Sequence, residues 1–517
     1  MSHIVSFPPF TRRRLLKSTA AAAAVSLWAG PGASLRAAAT NRQPGASNQP
    51  LPSGPITAVP LSVSATASGE MPGAFVGLAY SKDLMLGTLF SRQDTSMINV
   101  FRQLGWSSLR IGGASADSLV WSPNGPGAQP GYVAPTDVDN LAEFLKATQW
   151  SCIYGINLAG SATGATNPSL AAAEVAYVAG RLGSSLAAIE IGNEPDLYGR
   201  VGNAYANNWT FDGYFALWNE YREAIEAVTP GVPIAGPADA GNPLTWTVPF
   251  IENVTKPEVK LITQHYYVAS AVAPDATLTE LLTVSLHHDL VENLAAINDA
   301  CEQSGIPFRM GECGDFYNNS GTTPPVNVAG SYAAALWGID YMFMCAQGGA
   351  AGVNFESGGP IPNYTPILDN AAAVTAIAPL FYGMLLMTLA GTGTVLETTV
   401  SPGALNVTAY ALQTSGYGSG RGSGYSVIVL NKEQSANIQL QIELPSGVRN
   451  ASLLEMTQLS PGADAPNVLA TSGVTIQGAE VNPDGSFSPS RAYELTPEEA
   501  QLTCYVPALS AVLIQAF

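Results

Sequence analysis

Histidine, cysteine and basic side chains are all scarce in this 517-residue chain, which has four His, five Cys and 21 Lys and Arg. His3, His265, His287 and His288 form no spaced ligand motif, and Cys152, Cys301, Cys313, Cys345 and Cys504 contain no Cys-x-x-Cys pair. No zinc or iron–sulfur centre is expected, and no cofactor. Acidic residues outnumber basic ones, 39 to 21, for a net charge of −18, so no broad basic surface is available for nucleic acid. The first strand-like run ends in Gly77-Leu78-Ala79-Tyr80-Ser81-Lys82, without G-x-G-x-x-G, which removes the signal for a nucleotide site. A hydrophobic content of 47% excludes intrinsic disorder, and the length accommodates two or more domains.

What is present begins with a leader. Thr11-Arg12-Arg13-Arg14-Leu15-Leu16-Lys17 resembles the twin-arginine export motif, a short apolar stretch follows from Ala20 to Leu27, and Ala37-Ala38-Ala39 offers a cleavage site. The expected destination is periplasmic or extracellular, with no membrane partner after cleavage. Beyond position 39 the chain keeps 16 basic and 39 acidic residues, so the exported form carries −23. The uncharged run from Ala371 to Gly391, interrupted by Pro379, Tyr382 and Gly383, reads as a buried helix between two domains rather than a membrane span.

Short apolar runs alternate with segments of helical spacing over most of the chain. The strand candidates are Phe75 to Tyr80, Ser108 to Gly112, Cys152 to Leu158, Ala187 to Gly192, Pro233 to Gly236, Lys260 to His265, Phe308 to Gly311 and Gly352 to Phe355. Among the helix candidates between and after them are Thr277 to Gln303 and Ala371 to Leu389. Eight such alternations predict a (β/α)₈ TIM barrel. After Gly391 short alternating runs punctuated by Gly, Pro and Asn predict a C-terminal antiparallel β-sandwich. The expected organisation is a leader over 1–39, a linker over 40–55, a strand over 56–70 completing the sandwich, the barrel over 71–391 and the sandwich over 392–517.

Reactive groups in such a barrel sit at the carboxyl ends of its strands. The fourth run ends Ile191-Gly192-Asn193-Glu194-Pro195 and the seventh ends Gly311-Glu312-Cys313, which places two carboxylates facing each other across one mouth. Glycoside hydrolysis needs one carboxylic acid to protonate the leaving oxygen and one carboxylate to attack or to activate water. The structural alternative for either Glu is a helix cap or an ion pair. Arg110 is expected in a buried ion pair beneath the site, Asp117 as its partner or as a sugar ligand, and His265 as an orienting residue. Asp315 and Glu356 are rim acids without a defined role, and Trp121, Trp209 and Trp337 are either sugar-stacking surfaces or core.

Four blocks taken in order, Leu109-Arg110-Ile111-Gly112-Gly113 through Asp117, Asn193-Glu194-Pro195, Gln264-His265-Tyr266-Tyr267, and Gly311-Glu312 through Tyr317, resemble the heparanase and β-glucuronidase family, glycoside hydrolase family 79. The resemblance implies a retaining, exo-acting β-glucuronidase with Glu194 as acid/base and Glu312 as nucleophile. It implies Asn193 on the sugar 2-hydroxyl, Tyr267 holding the nucleophile, and Tyr317 with backbone N–H groups near Asn318 and Asn319 on the uronate carboxylate. The family has Gly after that Tyr, and this chain has Asn318. Tyr364 is the candidate for a second carboxylate ligand, with Tyr382 as its alternative. Where the family often places an acidic residue after strand 1, this chain has Tyr80-Ser81-Lys82. The implied partner is a glycoside containing glucuronic acid. An endo-acting, heparanase-like enzyme and a non-catalytic carbohydrate-binding protein on the same scaffold are the competing readings. The acidic charge disfavours a highly sulfated substrate.

Overall fold

The structure is a computed structural model that describes residues 48–200, 205, 209–317, 328–414, 424–445, 448–460, 462–498 and 501–517. The expected leader, linker residues 40–47, and Asn318 and Asn319 lie outside these. Eight parallel strands close into a barrel: β1 (Val76–Ser81), β2 (Ser108–Gly112), β3 (Ser151–Ile156), β4 (Leu186–Ile191), β5 (Ile234–Asp239), β6 (Leu261–Ser270), β7 (Phe308–Tyr317) and β8 (Val353–Ser357). They pair in chain order, and β8 returns to β1. The strands are nearly continuous apolar runs because one face fills the barrel while the other is covered by helices. Local chemistry sets the helix ends. Asp94 accepts the Met97 N–H at 2.9 Å to start Thr95–Gln103, and Asn167 caps Pro168–Leu182 in the same way at 3.0 Å.

Two expected helices are corrected. The segment Thr277 to Gln303 is two helices, Leu278–Leu282 and His288–Ser304, separated by a short 3₁₀ turn where the His287 ring bonds the Leu281 carbonyl. The segment Ala371 to Leu389 is helical only from Pro379 to Ala390. Its first residues form the hairpin of Ile367–Asp369 and Val374–Ile377, turned by the Asn370 side chain on the N–H groups of Ala372 and Ala373. Proline has no N–H and suits the first helical turn, so the helix begins there. Pro379–Ala390 is buried almost all round, against the helix Tyr332–Gln347 and the C-terminal sheet. Among the described residues no helix is long and apolar enough to cross a membrane.

The strand Ile56–Met71 runs antiparallel to Gly393–Val400 and parallel to Asn437–Glu443, inside a ten-stranded sheet built otherwise from residues after 392. The sheet is thus mixed rather than wholly antiparallel. Nine of its strands follow one hydrogen-bonded path, with Tyr493–Leu495 paired off it to Ala451–Gln458, and the inner face encloses Val59, Leu61, Val427, Val429, Leu440, Val512 and Ile514. The alternate residues Ile428, Leu430 and Leu513 join the barrel core instead. Strand Gly424–Asn431 is apolar on both faces for that reason. A buried ion pair crosses the junction: Lys432 Nζ meets Asp340 Oδ2 at 2.7 Å, and Thr408 and Tyr410 donate to Asp340 Oδ1.

Candidate active site

Arg110, on β2, is fully buried inside the barrel and organises the site. Its Nε donates to Glu190 Oε2 at 2.7 Å, Nη1 to Glu312 Oε2 at 2.8 Å and Nη2 to Asn193 Oδ1 at 2.8 Å. A planar guanidinium can serve three acceptors at once because its donors form a rigid fork. Gly112 makes room for it: a Cβ there would lie 2.7 Å from the Arg110 Cζ.

The two candidate catalytic carboxylates come from β4 and β7. Glu194 follows β4 in a left-handed conformation, φ 49°, with its N–H on the Ala238 carbonyl at 2.9 Å. Such a conformation is costly for a non-glycine residue and persists when its surroundings fix it. Glu312 does not end its strand as expected. β7 continues to Tyr317 beside β6, and Glu312 sits where the register shifts between Met310 and Glu312. A bulge of this kind re-aims a side chain without ending the ladder. Oxygen atoms of Glu194 and Glu312 and a ring nitrogen of His265 lie within 4.8 Å of one another.

Their partners differ. Glu312 Oε1 accepts from Tyr267 Oη at 2.8 Å, and Oε2 from Arg110. Burial alone would raise the Glu312 carboxyl; the charge of His265, then Arg110 and the Tyr267 hydroxyl outweigh it and hold the group below the usual glutamate range. Glu194 Oε1 meets His265 Nδ1 at 3.1 Å. Burial lowers the His265 pKa, but Glu312 and Glu194 outweigh burial and Arg110, so that it rises. Glu194, His265 and Glu312 are also the one metal-competent cluster among the described residues. Both Glu312 oxygens there are already engaged by Arg110 and Tyr267, a setting suited to an ionised nucleophile.

The remaining candidates divide. Tyr267 lies between Tyr317 and Tyr364, with ring centroids 5.8 and 5.6 Å away and edge-to-face geometry. Gly314 permits this, since a Cβ would come within 2.8 Å of the Tyr267 ring. Tyr317 is 47% exposed, open to a ligand. Tyr382 is removed from the site: it is buried, and its hydroxyl accepts the Val481 N–H at 3.0 Å. Asp117 does not pair with Arg110, whose partners are Glu190, Glu312 and Asn193. It is half-buried and accepts from the N–H groups of Leu158, Ala159 and Asn193 and from the Tyr198 hydroxyl. Lys82 likewise turns away, buried against Glu174 at 2.7 Å and over the Tyr154 ring. Trp121 and Trp337 belong to the core. Trp209 donates to the Pro195 carbonyl at 2.7 Å and packs on Tyr205 beside the Glu194 loop. Glu190 and Tyr198 were not anticipated. A lone Glu inside Ile189-Glu190-Ile191 was a readable sign of a buried cationic partner.

No protein-family model matches the chain. It is 26% identical over 307 residues to a β-glucuronidase of Aspergillus niger, covering 53% of this chain and 55% of that protein. It is 25% identical over 374 residues to a β-glucuronidase of Neurospora crassa, covering 63% and 65%. The matched region therefore spans between half and two thirds of these relatives. In fold it is similar to a 4-O-α-L-rhamnosyl-β-D-glucuronidase from Fusarium oxysporum, with TM-score 0.70 and 17% identity over 89% of this chain and 99% of that one. A family 51 arabinofuranosidase from Xanthomonas axonopodis shares it at TM-score 0.64 and 13% identity, over 89% and 100%. The chain is thus similar in sequence to two β-glucuronidases over part of their length, and in fold to glycoside hydrolases.

Proposed function

We propose that the chain is a retaining, exo-acting β-glucuronidase. The observation that carries this is the unequal treatment of two carboxylates at one barrel mouth. Glu312 is gripped as an anion by Arg110 and Tyr267, while Glu194 has His265 as its partner within 4.8 Å of Glu312. So small a separation leaves no room for a water between them and suits direct attack by one of them. Glu312 attacks the anomeric carbon and forms a glycosyl ester as Glu194 gives its proton to the leaving oxygen. Glu194 then takes a proton from the water that cleaves the ester, which restores both groups. Asn193 has its Oδ1 fixed by Arg110, so its Nδ2 is the end presented to the sugar 2-hydroxyl.

Recognition of the uronate falls to Tyr317 and Tyr364, on either side of Tyr267. Few basic residues and a net charge of −23 beyond position 39 favour one uronate held locally over a long polyanion. The twin-arginine-like leader supports action outside the cytoplasm. The reading is tested with nitrophenyl β-glucuronide beside the glucoside, galactoside, xyloside and galacturonide. The glucuronide is expected to be hydrolysed fastest, and Glu312→Ala to abolish release. Preference for a neutral sugar would overturn the substrate assignment, and release of oligomers from a glucuronate polymer would overturn the exo assignment.

A further inference from the structure

The site holds a third carboxyl that the mechanism does not use. Glu356 lies on β8, where residues alternate between the two faces of the barrel wall. Phe355 packs outward on Trp337, whereas Asn354 points inward and bonds the carbonyls of Leu78 and Ser108. Glu356 therefore shares the inward face, one layer nearer the mouth. By register it stands level with Ala79 of β1, which is level with Arg110 of β2. Two strand spacings, roughly 10 Å, separate the backbones of Glu356 and Arg110, with only an alanine methyl between.

Glu356 is 7% exposed, and its Oε2 is buried without a hydrogen-bond partner. Arg110 is the nearby cation, yet its Nε, Nη1 and Nη2 are directed at Glu190, Glu312 and Asn193, and none bonds Glu356. The charged and titratable groups that face Glu356 are Glu312 on β7, Arg110 on β2, Glu194 after β4 and Asp83 after β1, with the hydroxyls of Tyr80, Tyr267 and Tyr364. Three of the four charged groups are carboxylates. A buried carboxyl without its own counter-ion, among other carboxylates, is stable as the neutral acid. In that form it is a hydrogen-bond donor.

We propose that Glu356 serves the site as a neutral carboxylic acid that donates a hydrogen bond to the carboxylate of the bound uronate. A chain with few basic residues thereby reads an acidic sugar through neutral donors, the Glu356 acid beside the Tyr hydroxyls. The inference rests on the glucuronidase reading and adds a specificity-determining residue to it. Burial first, and then the charge of Glu312, push the Glu356 carboxyl well above the usual glutamate range, while Arg110 acts in the opposite sense. Once the group ionises, a donor becomes a second anion facing the substrate, and binding weakens.

The test is the competitive inhibition constant of glucuronate, with glucose as the neutral control, from about pH 5 to about pH 9. Wild type, Glu356→Gln and Glu356→Ala are compared, with thermal melts to establish folding. In wild type the glucuronate constant is expected to stay flat and then rise about tenfold per pH unit as Glu356 ionises. Glu356→Gln keeps a donor and cannot ionise, so its constant stays flat, within about threefold of the wild-type acid-side value. Glu356→Ala weakens glucuronate about tenfold at every pH and leaves glucose unchanged. One shared pH profile for wild type and Glu356→Gln would overturn the proposal, as would full affinity in folded Glu356→Ala. If Glu356→Ala does not fold, the Gln series decides. Hydrolysis of nitrophenyl glucuronide by wild type tests the underlying reading separately.

Discussion

Replacing Arg110 by Met probes the electrostatic centre of the barrel. The substitution keeps an unbranched side chain in place while removing the counter-charge of Glu190, whose side chain is 0% exposed, and of Glu312, at 11%. Removing one partner of a buried ion pair typically costs about 3–5 kcal/mol, because the other charge stays buried and unpaired. That cost is expected in urea unfolding of Arg110→Met. A second change, Glu190→Gln, neutralises the more deeply buried orphan and is expected to recover about half of the loss. Activity should not recover with it. Asn193 and Glu312 would both have lost the donor that aims them, and misplacement by about 1 Å costs about a hundredfold in rate. Without Arg110 the Glu312 carboxyl also rises, so the acid limb of kcat/KM moves to higher pH. A stability loss below about 1 kcal/mol, or activity restored by Glu190→Gln, would refute this reasoning.

Asp117→Ala leaves the N–H groups of Leu158, Ala159 and Asn193 without their shared acceptor, so kcat should fall about a hundredfold with KM little changed; steady-state kinetics on nitrophenyl glucuronide check it. Asp239 is pushed up to about 8 by burial and by the neighbouring Asp196 carboxylate. A raised carboxyl contributes stability that is present below its unfolded value near 3.8 and lost as pH rises through about 8. Asp239→Asn should therefore gain on wild type in melting temperature across that window, and a constant difference at all pH values would contradict the assignment.

Much of this architecture was legible because its physical causes are local. Apolar runs such as Ile153 to Ile156 have to be buried on both faces, and the spacing between them leaves room for a helix each time. Positions that depend on tertiary partners were less legible. Glu312 was expected to end its strand, since it follows the run Phe308 to Gly311, whereas β6 extends alongside and keeps the ladder going to Tyr317. Asp117 was left between an ion pair and a sugar ligand. Its four donors come from segments up to 81 residues away and leave no local trace. The helical expectation from Ala371 failed because composition, not period, carried it. Lys82 drew attention as a departure at the sugar, and only the fold shows its charge spent on Glu174.

The account stands on Glu312 as the nucleophile toward a glucuronide. Incubation with 2-deoxy-2-fluoro-β-glucuronosyl fluoride, followed by peptide mass spectrometry, tests this directly. A stable glycosyl ester mapped to Glu312 is the predicted result, with no label in Glu312→Ala. Label on another residue, or turnover of nitrophenyl glucuronide with no trapped ester, would contradict it.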